Sequence, residues 1–403
     1  MNLRTAALLL SLVVLSSRGL HAQSFGVEVF NNLMPASGGM AGASIASPQD
    51  LQSAINGNPA TLTQYRGTQF GLGGAWIEPT YNISVAEDLL FVGAYDAKSD
   101  AQGIAAPNIG VTQDFTAWGL PMTIGLGLMA GSGAGVDFRE VPASLVALDI
   151  VAAAGVSLTD RLSFGASLIL SNATMGGPIV GITGSSIDYA LRGSFGFNYQ
   201  LTPDTNLGFF WKSKAAYTFE SLVSSPLPPL GTFLDISADR PQSLGFGIAN
   251  QSLLDGRLLL ALDAVYQQYS DTAMFGDLFN DQWAVQLGAQ YALNPRVRLR
   301  VGYAWNENPM RDSVGSGLGG VPVVAAQVQY IEALFAAIPQ DRITGGVSVR
   351  DVLPGVDLDL FAGGMFEESQ TFGVTTATVE SYWVGTGVTW RFGRGGCAED
   401  ECK

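Results

Sequence analysis

Few side chains in this sequence could do covalent or metal chemistry. Among its 403 residues there is one histidine, His21, and there are two cysteines, Cys397 and Cys402. His21 closes a stretch that reads as a secretory leader. Arg4 precedes an apolar run over residues 6–15, small residues follow, and Ala22 is the expected cleavage point. The run is only about ten residues long, too short for a membrane anchor. Once residues 1–22 are removed, neither a Ser-His-Asp triad nor a His-ligated metal site can be built. Cys397 and Cys402 end the chain, and in an oxidising compartment a local disulfide is the expectation rather than a metal pair. The sequence therefore predicts no enzyme, no cofactor and no metal.

Binding chemistry is what is left, and charge narrows it. The formal net charge is −15. Loss of Arg4 and Arg18 leaves 18 basic against 35 acidic groups, a net charge of −17. Nucleic acid is excluded as a partner, because its affinity comes from neutralising phosphates with Lys and Arg. Yet 47% of residues are hydrophobic and only 14% are charged, with 50 Gly, 21 Phe and 12 Tyr. No segment after the leader reaches the roughly 18 uninterrupted apolar residues of a spanning helix. The apolar residues must follow some other period.

That period is two. Val297, Leu299, Val301, Tyr303 and Trp305 alternate with Arg298, Arg300, Gly302, Ala304 and Asn306, which places the two sets on opposite faces of a strand. Trp283, Val285, Leu287, Ala289 and Tyr291 repeat the pattern. So do Tyr382, Val384, Val388, Trp390 and Phe392, and Leu207, Phe209, Trp211, Tyr217 and Phe219. Aromatics recur at the ends of the apolar face, as in the interfacial girdles of outer-membrane barrels. Fourteen candidate strands run from 67–77 to 379–392, one of them over 205–220. Short Pro-, Gly- and Asp-rich turns alternate with long segments at 78–106, 132–145, 174–185, 221–240, 271–281, 308–340 and 369–378. Short turns on one rim and long loops on the other fit a barrel inserted from the periplasm. The expected fold is all-β, a 14-stranded antiparallel transmembrane β-barrel over residues 67–392, with a periplasmic tail over 393–403.

Residues 23–66 carry no such alternation. They are small, polar and Gly-rich, with a short helix expected over 48–55, Ser47 as its cap. Their low charge favours a plug inside the lumen over a solvated arm. A barrel of fourteen strands is wide enough to need one. Asn58-Pro59-Ala60 ends this segment in a turn, since a residue before proline is held out of the α region. It sits where an N-terminal hatch would join the wall.

From these residues the chain resembles the outer-membrane long-chain fatty acid and hydrophobic compound transporters, the FadL/TodX family. The resemblance rests on Asn58-Pro59-Ala60, on Gln69-Phe70, on Glu78-Pro79-Thr80-Tyr81-Asn82 and on Ile338-Pro339-Gln340-Asp341-Arg342 before the twelfth strand. It also rests on the order of hatch then barrel over nearly the whole mature chain. The resemblance implies a cell outer membrane protein that acts as a monomer. Its loops would capture a hydrophobic ligand, its lumen bind it, and a break in the third strand release it sideways into lipid. Phe25 matches the family's inner-pocket aromatic and is equally readable as an ordinary plug residue. Gly125, Gly127 and Gly131 lie in the third strand, where glycine marks bulges and bends, and are the candidate lateral opening.

A fatty-acid carboxylate would need an inward cation, and parity gives Arg192, Lys212 and Lys214 at mid-height. A neutral hydrocarbon would need none, and the sequence leaves both cargoes open. Residues 84–95 and 323–338 have helix-like apolar spacing suited to first capture. In the second, Val324, Val328, Ile331, Leu334, Phe335 and Ile338 share a face. The expected partners are a fatty acid or hydrocarbon, outer-membrane lipids and, during biogenesis, the outer-membrane assembly machinery. The alternative function is a general porin with a plugged or constricted lumen.

Overall fold

The computed structural model describes residues 27–89, 92–138, 141–177, 184–224 and 233–392. The expectations for the leader, Phe25, the 393–403 tail, Cys397 and Cys402 lie outside the described residues.

Among the described residues, seventeen strands follow in order: β1 (Thr68–Val85), β2 (Tyr95–Lys98), β3 (Ile104–Ala117), β4 (Leu120–Phe138), β5 (Val141–Ser157), β6 (Leu162–Gly177), β7 (Gly184–Thr202), β8 (Thr205–Lys212), β9 (Ala215–Ser224), β10 (Phe233–Arg240), β11 (Gln242–Leu253), β12 (Leu258–Gln268), β13 (Gln282–Ala292), β14 (Val297–Asn306), β15 (Asp341–Leu353), β16 (Val356–Phe372) and β17 (Thr375–Phe392). All but β2, β9 and β10 form one antiparallel wall of 14 strands. The wall closes where β1 pairs with β17, from Thr68↔Phe392 to Val85↔Thr375. Closure leaves no edge in lipid. The alternation read from the sequence is the alternation of faces. On β13 and β14, Trp283, Leu287, Val301 and Tyr303 are exposed to the membrane, while Gln286, Ala304 and Asn306 are buried in the lumen.

The structure corrects four readings of extent. The strand expected over 205–220 ends at Lys212, and after Ser213 and Lys214 the chain leaves the wall as a separate β9–β10 hairpin. Tyr217 and Phe219 consequently lie buried in the lumen instead of facing lipid. Several segments taken for loops are the tops of tall strands, reaching Val85 in β1 and Phe372 in β16. None of the described residues of 84–95 is helical; Leu89 and Val92 exchange backbone hydrogen bonds between β1 and β2. The hatch helix α1 spans Leu51–Asn56 rather than 48–55. Its cap is Asp50, whose carboxylate accepts from Ser53 N at 2.7 Å, the bond that starts a helix three residues later.

The hatch fills the lumen. Nearly every residue from Val27 to Thr63 is buried. The helix is flanked by 3-10 turns over Ser37–Met40 and Pro59–Gln64. Buried polar groups tie it to the wall. Asp263 on β12 accepts from Ser44 N at 2.6 Å and Ile45 N at 2.9 Å. Asn58 Nδ2 donates to Ile45 O and to Phe197 O on β7, both at 2.9 Å. The wall lets the hatch backbone in through glycine. A Cβ at Gly302 would collide with Met40 and Ala41 backbone, and one at Gly165 with Pro59 and Ala60 backbone.

Candidate ligand lumen and wall breaks

Above the hatch lies one continuous buried apolar cluster. It runs from Val27 through Tyr81, Phe138, Met175, Tyr217 and Phe219 to the loops. Tyr81 and Phe138 meet edge to face at 5.9 Å, and Tyr217 stacks on Phe219 at 5.9 Å. Two helices fold into the mouth: α2 (Phe275–Leu278) and α3 (Ala325–Leu334). Phe275 meets Phe335 at 5.8 Å. Of the face expected in 323–338, Val328, Ile331, Leu334, Phe335 and Ile338 are buried, and Val324 is exposed. Tyr81 Oη bonds Ala333 O and accepts from Ala336 N, fixing α3 to β1. A separate hollow of about 590 Å³ is lined by outward residues such as Leu260, Leu287 and Val301, so it faces lipid and not this lumen.

The floor of the cluster is charged. Glu28 of the hatch receives Arg192 Nη1 at 2.8 Å and Arg240 Nη2 at 2.9 Å. Arg240 crosses the lumen to Asp149 on β5 at 2.7 Å and to Ser171 Oγ at 2.9 Å. Tyr217 donates to Ser171 at 2.6 Å, and Ser171 to Asp149. The four ionised side chains are at most 2% exposed. Charges so buried persist only with partners on every donor, and these have them. Arg192 directs Nε to Ser213 O at 2.8 Å and Nη2 to Pro241 O at 2.9 Å.

The three predicted cations separate. Arg192 is in this cluster. Lys212 is buried nearby, donating to Asn56 O at 2.8 Å with its ammonium 5.9 Å from the Phe30 ring. Among the described residues it has no carboxylate in ion-pair range. Lys214 follows the end of β8; its side chain is 40% exposed and sits 3.6 Å from Asp239 and 3.8 Å from Asp271. Strand parity does not reach it, because the strand has ended at Lys212. Glu28 and Arg240 were missed because no alternation orients the hatch and because 221–240 read as loop. Asp149 left a signal, a lone acid in the apolar run Val146-Ala147-Leu148-Asp149-Ile150-Val151.

Among the described residues, two interruptions of the wall lie beside the charged floor. At the third barrel strand, the β3–β4 ladder stops at Asn108↔Met129. Above it β4 continues with β5 alone, through a register shift between Ala130 and Ser132. The residue in the shift is Gly131. Its carbonyl accepts from Val29 N of the hatch at 3.3 Å and from Arg240 Nη2 at 2.9 Å. A Cβ here would stand 2.5 Å from Asp149 Oδ2. Gly125 and Gly127, by contrast, are paired on both sides, to Thr112 and Gly110 of β3 and to Ala153 and Val151 of β5. The wall is unbroken at those two residues; Gly125 instead leaves room for Ile55 of the hatch. The second interruption is at Lys212, where β8 leaves the wall, and Gln242, where β11 re-enters it.

A model of the outer membrane beta-barrel porin family MtrB/PioB matches residues 147–326. No curated protein matches the sequence. Solved structures do match. A Pseudomonas aeruginosa FadL homologue superposes with TM-score 0.69 at 14% identity, over 91% of this chain and 100% of that one. The P. putida toluene transporter TodX gives TM-score 0.66 at 17% identity, over 90% and 99%. The Ralstonia pickettii toluene transporter TbuX gives 0.61 at 16% identity, over 90% and 99%. Superposed over nearly the full length of both chains, this outer-membrane protein has the fold of the FadL and TodX transporters, a closed barrel that holds its own N-terminal plug.

Proposed function

We propose that the protein takes up hydrophobic small molecules across the outer membrane, without catalysing any reaction on them. The observation that carries this reading is the buried apolar cluster above the hatch, which ends below at the break beside Gly131. Cargo enters by displacing the aromatic side chains of α2 and α3 from the mouth. It leaves sideways between β3 and β4, where Val29 of the hatch stands behind the gap. Asn58, Pro59 and Ala60 hold the rest of the hatch to the wall while the segment around Glu28 moves.

The chemistry of the floor favours an uncharged cargo over a carboxylate. Arg192 and Arg240 direct their donors to Glu28, Asp149, Ser171 and backbone carbonyls. A carboxylate would have to draw Lys212 away from Asn56 O of the hatch. Two of the similar structures are toluene transporters, and an alkylbenzene is the cargo class this lumen fits. The protein acts as a monomer among outer-membrane lipids.

The porin reading has the MtrB/PioB match in its favour, and the buried hatch against it. The two are separated by measuring toluene uptake into liposomes containing the protein, alongside ion conductance in planar bilayers. Expected are toluene uptake and conductance near baseline. Large steady currents without toluene uptake would reject the transport reading. Oleate binding that drops on Lys212→Ala would move the cargo to fatty acids.

A further inference from the structure

We infer that the wall contains a second lateral portal, between β7 and the β9–β10 hairpin, with Arg192 as the side chain that keeps it shut. The inference rests on the transport reading above and gives the same cargo another way through the wall.

β7 outlasts its neighbour. Its last rung to β8 is Ser194↔Lys212, yet β7 continues upward to Gly184 paired with β6 alone. One residue above that rung, Ser213 N donates to Gly193 O at 2.8 Å and Gly193 N donates to Ser213 Oγ at 3.0 Å. Higher still, β9 packs beside β7 but no ladder rung joins the two among the described residues. The hydrogen bond between them there ends on a side chain, Thr218 N to Asp188 Oδ2 at 2.7 Å. Along a membrane wall, ladders satisfy the backbone because lipid cannot. A vertical line without rungs is where such a wall separates most easily.

Both sides of the seam suit a hydrophobic molecule. Outside, Ile187, Tyr189 and Leu191 are 60 to 64% exposed. Inside, Tyr217 and Phe219 belong to the apolar cluster of the lumen. Just below the seam on the lipid face, Phe195, Phe197, Phe209, Trp211 and Phe246 form a chain of rings 5.1 to 6.5 Å apart. Planar rings in contact offer an aromatic cargo a favourable surface.

The foot of the seam is bolted by one guanidinium. Arg192 bonds Ser213 O, where the chain departs from the wall, and Pro241 O, just before it returns. Its third group is fixed by Glu28. The planar fork of arginine suits three such acceptors in one plane. Arg240, the other partner of Glu28, bonds Gly131 O at the first break. One carboxylate of the hatch therefore braces both interruptions, and its withdrawal frees both.

The test uses the full chain in liposomes, with Cys397→Ser and Cys402→Ser as background. Asp188→Cys with Thr218→Cys places a disulfide across the seam. Gly193→Cys with Ser213→Cys does so lower down, should the first pair fail to fold. The probes are toluene for uptake and a diazirine-bearing alkylbenzene for photolabelling. The expected result is loss of part of the uptake rate on oxidation, its recovery on reduction, and labelling of residues 187–191 only in the reduced protein. Equal uptake in both redox states, with labelling confined to residues 104–107 and 130–136, would overturn the second portal and leave the first. A wild-type barrel that takes up no toluene and labels at neither place rejects the transport reading, and the portal with it.

Discussion

Glu28 is the residue whose loss has the most consequences, because two buried arginines depend on it. Replacing Glu28 by Gln keeps the shape and removes the charge. The Arg192–Arg240–Asp149 set is then left with excess positive charge in a place water does not reach. Removal of one partner from a buried ion pair costs about 3–5 kcal/mol. The expected outcome is faster amide exchange over residues 27–36 of Glu28→Gln in detergent, with residues 50–64 unaffected. Unchanged exchange over 27–36 would show that Glu28 does not hold the upper hatch. At this scale the sequence was half legible. Arg192 and Lys212 were found because strand parity points them inward. Glu28 was not, because side-chain direction in an irregular segment has no period to follow.

The strands were the most legible elements, and their lower halves more so than their upper. In the bilayer an outward residue must be apolar, so alternation is enforced, as on β13 and β14. Near the top of β17, Thr376, Thr378 and Glu380 take the alternate positions, and the lipid-facing signal disappears although the ladder continues. The end of β8 was unreadable for a different reason: Tyr217 and Phe219 keep the parity of the strand below them while their backbone has turned inward. Glycine tells more as an element of the wall than as a local break. Gly302→Leu would push a side chain into the Met40 backbone. The prediction is a barrel that still closes around its hatch and resists heating in sodium dodecyl sulfate, but with the hatch pushed off the wall at Met40 and Ala41 and large currents in planar bilayers. Baseline conductance in that variant would mean the hatch tolerates displacement from the wall.

For the whole molecule, the mouth is the part open to solvent conditions. Glu332 on α3 is buried over the lumen with its carboxylate accepting Arg311 N at 2.9 Å. Burial pushes this carboxyl up to about 8, against the pull of the Arg311 N–H and guanidinium. A carboxyl raised on folding binds more protons in the closed mouth than in the open one. The closed form is therefore favoured at low pH, and the preference fades as pH climbs from the ordinary carboxylate range through about 8. Amide exchange over residues 325–338, corrected for intrinsic rate, should accelerate between mildly acidic and mildly alkaline buffer. Glu332→Gln should remove that dependence; a variant that retains it would assign the effect to another group.

The cylinder is sewn shut over its own filling. Where β1 meets β17, Gly73 and Gly387 both face Pro35, and a Cβ on either would run into its ring. A hatch arriving after that last join would have to be threaded down a lumen already narrowed by β9, β10 and the mouth helices. A hatch already seated requires no threading. Assembly then has an order, with the plug serving as the mandrel around which the first and last strands are brought together. Damage to residues 27–64 should accordingly be felt while the barrel is being made, before any cargo reaches it.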